Sequence, residues 1–130
     1  MEHKRIYLYS AVAWTCVIAI LCLVNFSGLP SVGVKNTDKL VHFVLHFVFT
    51  ALWILYLISK TEKWSLIKIY GIIFSVSLSY GILIEIAQDL FTVSRRADIL
   101  DVCANATGSI IAIAVLIAYK NMLPQINSNK

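Results

Sequence analysis

Residues 95–112 read RRADILDVCANATGSIIA, a stretch in which charged and amide side chains run into an otherwise apolar segment. Its polar or small residues recur at spacings of three and four, at Asp98, Asp101, Asn105, Gly108 and Ala112. An α-helix of about 3.6 residues per turn places these positions on one face. A helix with one narrow polar stripe is typical of a bundle inside lipid, where the stripe faces partner helices.

The composition of the whole chain also indicates a membrane protein. Hydrophobic residues make up 59% of its 130 residues and charged residues only 14%, and the mean hydropathy is +0.80. A soluble domain of this size could not bury so much apolar surface in one core. We therefore predict an all-α membrane protein in contact with a lipid bilayer.

Four apolar stretches reach the roughly 20 residues that are needed to cross about 30 Å of hydrocarbon. They cover about residues 6–26, 40–59, 66–91 and 99–119. Little sequence remains for a soluble domain, so we predict one transmembrane domain over residues 1–130, an up-down antiparallel bundle of four helices. A basic segment precedes the first stretch, as in a secretory signal. Its apolar length exceeds the roughly 7–15 residues usual in signals, which favours a retained helix.

The basic residues divide unequally between the two ends of this bundle. Seven would lie at the end that holds both termini and the middle loop: Lys4, Arg5, Lys60, Lys63, Lys68, Lys120 and Lys130. Four would lie at the other end: Lys35, Lys39, Arg95 and Arg96. The positive-inside rule then predicts cytoplasmic termini and an outward-facing polar end. The net charge of +4 thus serves topology, and we expect no nucleic-acid partner.

The second stretch carries its own polar stripe, at Lys39, His42, His46 and Thr50. Each histidine is either a buried group satisfied by one hydrogen bond or a functional group. Burying a charged group in a membrane costs at least a few kcal/mol, which gives the functional interpretation more weight than it would have in a soluble core. An H-x-x-x-H pair can ligate a metal, but this one lacks the glutamate of H-E-x-x-H.

The third stretch places Gly81, Glu85 and Gln88 on one face. Because isoleucines flank Glu85, its carboxyl must be protonated or paired with a cation. It is either a structural ion-pair partner or a functional group. At the start of the fourth stretch, Asp98 is expected to cap the helix, with Asp101 three residues on as a candidate capping-box partner. We assign Asp101 to the polar site because its stripe continues into Asn105.

Three motifs together resemble the VanZ-like family of small multi-pass bacterial membrane proteins. They are D-K-x-x-H-F at 38–43, Y-G-x-x-x-E-x-x-Q at 80–88 and R-x-x-D-x-x-D-x-x-x-N-x-x-G at 95–108. The resemblance places the family's motif positions on Lys39, His42, Glu85, Gln88, Arg95, Asp101, Asn105 and Gly108. It implies an envelope protein of the bacterial cytoplasmic (inner) membrane, since the founding member is linked to resistance to the glycopeptide teicoplanin.

Two positions depart from the family pattern. This chain has His46 where the family tends to have an aromatic residue, and Ala112 where it often has a second glycine. The histidine adds a titratable group that could alter ligand or cation preference. The alanine preserves the small-xxx-small spacing, and we assign Gly81, Gly108 and Ala112 to helix packing.

The charge of the polar end constrains its chemistry. Its basic residues Lys39, Arg95 and Arg96 face the acidic residues Asp38, Glu85, Asp89, Asp98 and Asp101, an excess of negative charge if all are ionised. A pocket for phosphate alone should not be net anionic. A carboxyl is therefore protonated, a histidine is charged, or a divalent cation lies among His42, Glu85 and Asp101.

Two functions are consistent with such a cluster. In the first, the polar end binds or protects a cell-wall precursor, a glycopeptide or a lipid. In the second, the chain is an enzyme that acts on a lipid-linked phosphate or wall precursor, with His42, Glu85 and Asp101 in acid-base roles. Substrate or anion binding is then assigned to four residues: Lys39, Gln88, Arg95 and Asn105. Four short helices without an inverted repeat offer little room for a transporter, and the oligomeric state stays open.

Overall fold

The computed structural model describes residues 2–24, 37–92 and 96–122. These residues form four α-helices and no strand: α1 Glu2–Leu23, α2 Thr37–Lys60, α3 Leu66–Phe91 and α4 Ile99–Met122. Each helix is long and apolar enough to cross a membrane. The predicted all-α fold and its four spans are confirmed. The largest shift at a helix start is in α1, which begins at Glu2 because the helix continues through its charged first turn.

The helices alternate in direction. Cys22 near the end of α1 meets Gln88 near the end of α3, and Lys39 at the start of α2 meets Asp98 at the start of α4. We call this end of the bundle the polar end. Helix α2 lies centrally and contacts the other three, whereas the described parts of α1 and α4 do not touch.

The parallel helices α2 and α4 form the most extensive contact of the bundle. At Gly108 the two backbones come so close that a Cβ would overlap the carbonyl oxygen of Phe43, and it would lie 3.2 Å from the Phe47 nitrogen. One turn further on, Ala112 is also buried. Small residues on α4 thus permit a close crossing that carbon side chains would prevent. This crossing brings the polar stripes of α2 and α4 together.

The outer surface of the bundle is apolar, as lipid requires. Large side chains such as Ile20, Leu83 and Ile110 are more than half exposed. Away from the polar end, the core between α2 and α3 is a cluster of Ile54, Ile69, Tyr70 and Ile73. The polar groups buried inside the bundle are therefore concentrated between the polar end and its middle.

Candidate functional site

Lys39 links α2 to the start of α4 through two carboxylates. Its Nζ donates to Asp98 Oδ2 at 2.8 Å and to Asp101 Oδ1 at 3.2 Å. The Lys39 and Asp98 side chains are 30% and 40% exposed, whereas that of Asp101 is only 6% exposed. The predicted anion-binding lysine is thus already paired within the protein.

Asp98 caps α4, as its position predicts. Its Oδ1 accepts the N–H of Leu100 at 2.8 Å, and the Lys39 ammonium together with that N–H holds the pKa of the Asp98 carboxyl below its ordinary value. The N–H of Asp98 itself donates to Glu85 Oε2 at 3.1 Å. In a capping box the third helical residue, Asp101, would accept this N–H. Here Glu85 of α3 takes that place, so Asp101 is free to face α2.

His42 is at the centre of the buried groups, with 2% exposure. Its Nδ1 lies 3.2 Å from Asn105 Oδ1 and 3.6 Å from Glu85 Oε1. Its Nε2 lies 4.0 Å from Asp101 Oδ2. Because both oxygens near Nδ1 are acceptors, the proton of a neutral ring belongs on Nδ1. The lone pair on Nε2 then points towards Asp101.

Two buried polar atoms beside His42 lack a hydrogen-bond partner among the described residues: the acceptor Glu85 Oε1 and the donor Asn105 Nδ2. Each such atom typically costs about 1–3 kcal/mol. Gly81 leaves room for the amide, since a Cβ there would lie 2.7 Å from Asn105 Nδ2. Sequence spacing predicts that these residues share the site, but not that two of their atoms are unsatisfied.

A second polar layer lies below the first and is well connected. His46 Nδ1 is 2.8 Å from Ser77 Oγ, which is 2.8 Å from Ser109 Oγ. Thr50 Oγ1 donates to the same Ser109 oxygen at 2.9 Å. His46 is therefore a buried, hydrogen-bonded histidine. Our sequence analysis missed Ser77 and Ser109, although Ser77 precedes Gly81 by four positions and Ser109 follows Asn105 by four.

This polar chain stops midway along the bundle. Beyond Thr50, the next turn of α2 carries Ile54, which packs against Ile69 and Ile73 of α3. In the described helices the buried polar groups therefore lead into an apolar core and give no continuous path to the opposite end. This arrangement favours a site at one end over a transport pathway.

The remaining predicted residues differ in their surroundings. Gln88 is buried, and its Nε2 donates to the Cys22 carbonyl oxygen at 3.0 Å, which ties α3 to α1. Arg95 lies outside the described residues. Among the residues that are described, the His, Cys, Asp and Glu groups close enough to share a metal ion are Asp38, His42 and Asp101, whose ligand atoms lie within 4.8 Å of one another. Glu85, a predicted metal candidate, is not part of this group.

Comparison with known proteins identifies the family. The VanZ/LLP1 family model matches residues 5–120. No curated protein and no solved structure matches the chain. The match includes all four helices apart from their outermost residues, and it confirms the resemblance that the three sequence motifs indicate. The chain therefore belongs to the VanZ/LLP1 family.

Proposed function

We propose that the polar end faces outward from the bacterial cytoplasmic membrane and binds the head group of a cell-wall or lipid-linked component. Binding there would protect the cell against teicoplanin. The observation that supports this proposal best is the pair of unsatisfied buried atoms, Glu85 Oε1 and Asn105 Nδ2. A hydroxyl or amide group of a ligand can donate to the first and accept from the second. Sugars and peptides of wall precursors carry such groups.

The gradient of exposure at the polar end fits a binding site with a mouth and a base. Lys39 and Asp98 are partly exposed at the mouth, whereas His42, Glu85 and Asn105 are buried at the base. Of the described groups that surround His42, the carboxylates outnumber the single ammonium of Lys39. Electrostatics therefore favours a neutral or cationic group at the base over a bare phosphate.

Susceptibility to teicoplanin tests this function. We expect wild type to protect a susceptible host, and Glu85→Gln or Asn105→Leu to lose most of that protection. Losing a hydrogen bond to a charged group costs about 1.5–3 kcal/mol, at least a tenfold loss of affinity. The inhibitory concentrations of teicoplanin and vancomycin would be measured with membrane abundance quantified for each variant.

Asp89→Asn is the matched control for this experiment. Asp89 is an exposed carboxylate at the same end of α3, and its Oδ1 accepts only a long bond from the Ala97 N–H at 3.4 Å. We expect this variant to protect like wild type. Full protection by Glu85→Gln at equal abundance, or no protection by wild type, would count against the proposed role.

The proposed orientation has its own test. Arg96 is exposed at the polar end, and Lys63 is exposed in the turn between α2 and α3. A membrane-impermeant maleimide should label Arg96→Cys in intact cells, and should label Lys63→Cys only after the inner membrane is opened. The native cysteines all lie within the spans. The reverse labelling pattern would show that the polar end faces the cytoplasm.

An enzyme is the second candidate, and the position of His42 between two carboxylates favours it. Glu85 Oε1 faces one ring nitrogen and Asp101 Oδ2 the other, so either can orient the ring as a general acid or base. The substrate would be a lipid-linked phosphate or wall precursor. Release of phosphate from a lipid-linked diphosphate by purified wild type, and not by His42→Ala, would favour catalysis over binding alone.

A further inference from the structure

We propose that Asp38, His42 and Asp101 bind a divalent transition-metal cation, Zn²⁺ or Mn²⁺, at the mouth of the polar end. Their ligand atoms lie within 4.8 Å of one another. Bonds of about 2.0–2.2 Å place two ligand atoms of one cation at most about 4.4 Å apart. The 4.0 Å from His42 Nε2 to Asp101 Oδ2 falls within that limit. Asp38 is exposed, so its side chain can adjust to complete the site.

The surroundings of His42 are those of a metal-binding histidine. Such a histidine usually donates its second ring N–H to a carboxylate or carbonyl oxygen, which fixes the ring and leaves the other nitrogen for the metal. Here Nδ1 faces Asn105 Oδ1 and Glu85 Oε1, and Nε2 faces Asp101. Glu85 is 3% exposed and its Oε1 has no hydrogen-bond partner among the described residues. A cation on Nε2 would strengthen the attraction between Nδ1–H and this oxygen.

The local charge also favours a cation. Asp38, Glu85, Asp98 and Asp101 are the described carboxylates around His42, and Lys39 is the one ammonium that pairs with them. Lys39 occupies Oδ1 of Asp101 and leaves Oδ2 directed at the histidine. A divalent ion would offset the remaining negative charge.

The mixture of donors indicates the class of metal. Imidazole suits zinc and other transition metals, and carboxylates suit manganese and magnesium, so one imidazole with two carboxylates fits Zn²⁺ or Mn²⁺. Three protein ligands would leave a coordination position open, as in catalytic zinc sites. A bound cation would also allow the polar end to accept an anionic group that its carboxylates otherwise repel.

Metal binding can be measured without any wall ligand, so its failure is distinguishable from failure of the proposed function. The full chain would be purified in detergent, treated with a chelator and titrated with Zn²⁺ or Mn²⁺ alone by calorimetry. We expect saturable binding of a single cation per chain. Asp38→Asn and Asp101→Asn should each weaken it at least about tenfold, the scale usual even for lost outer-shell partners. Asp89→Asn, which removes an exposed carboxylate at the same end, should bind like wild type.

Two arms keep the result decisive. Mn²⁺ has little preference for thiolates, so its binding cannot be attributed to Cys16 or Cys103, the two exposed cysteines. Asp38→Asn changes an exposed side chain, and a melting curve without metal verifies that the variant is folded. Absence of saturable binding of both metals to wild type would overturn the proposal. Equal affinity of wild type, Asp38→Asn and Asp101→Asn would also overturn it.

Discussion

Gly108→Ala is expected to separate α2 from α4, although it adds only one methyl group. The new Cβ would overlap the Phe43 carbonyl oxygen and lie 3.2 Å from the Phe47 nitrogen. These are backbone atoms, so a change of rotamer cannot relieve the contact. Overpacking of this kind typically costs about 1–3 kcal/mol and occasionally more. Thermal unfolding in detergent, followed by circular dichroism, should show a clearly lower midpoint.

Gly71→Ala provides the matched control. Gly71 is also helical, but a Cβ there would meet nothing within 4 Å. Alanine is favoured over glycine within helices by about 1 kcal/mol, so this variant should be as stable as wild type or more stable. The close crossing would be refuted if the two alanine variants melted together. Protection against teicoplanin should fall with Gly108→Ala alone, since the polar stripes of α2 and α4 meet at this crossing.

The fold could be predicted because each helix has its own signal in the sequence. Apolar length marks the four spans, and the small residues Gly108 and Ala112 mark the buried face of α4. Periodicity shows which face of a helix is buried, but it does not identify the helix on the other side. The close packing of the parallel helices α2 and α4 therefore became apparent only from the structure.

The candidate site shows the same limit at the level of atoms. Spacing and family motifs place His42, Glu85, Asp101 and Asn105 together, and the structure brings these side chains within about 4 Å of one another around the histidine. Spacing could not show that Glu85 accepts the Asp98 N–H, because that bond depends on the path of the chain between α3 and α4.

Two other residues show how partners outside a motif escape sequence analysis. Gln88 shares a face with Glu85, yet its amide reaches the backbone of α1 at Cys22. His46 is satisfied by Ser77, a serine that belongs to none of the three motifs. In both cases the partner lies on another helix and contributes a single polar atom. Such an atom leaves little pattern in an apolar sequence.

Lys39→Met is expected to destabilise the protein because it removes the ammonium that pairs with a nearly buried carboxylate. The Asp101 side chain is 6% exposed and has Lys39 at 3.2 Å. A buried charge that loses its partner keeps its desolvation cost without the compensating attraction. The midpoint of thermal unfolding should fall by several degrees. Lys63→Met, which changes an exposed lysine at the opposite end, should leave it unchanged.

A second substitution distinguishes loss of charge balance from loss of packing. If the uncompensated Asp101 charge causes the destabilisation, Lys39→Met with Asp101→Asn should melt above Lys39→Met alone. If packing of the lysine stem is responsible, the double variant should show no recovery. A bound cation would replace the missing ammonium, so Zn²⁺ should raise the melting temperature of Lys39→Met more than that of wild type. Because the repelling ammonium is gone, its affinity should rise at least about tenfold. Equal zinc affinity in the two proteins would mean that the cation binds away from Lys39 and Asp101.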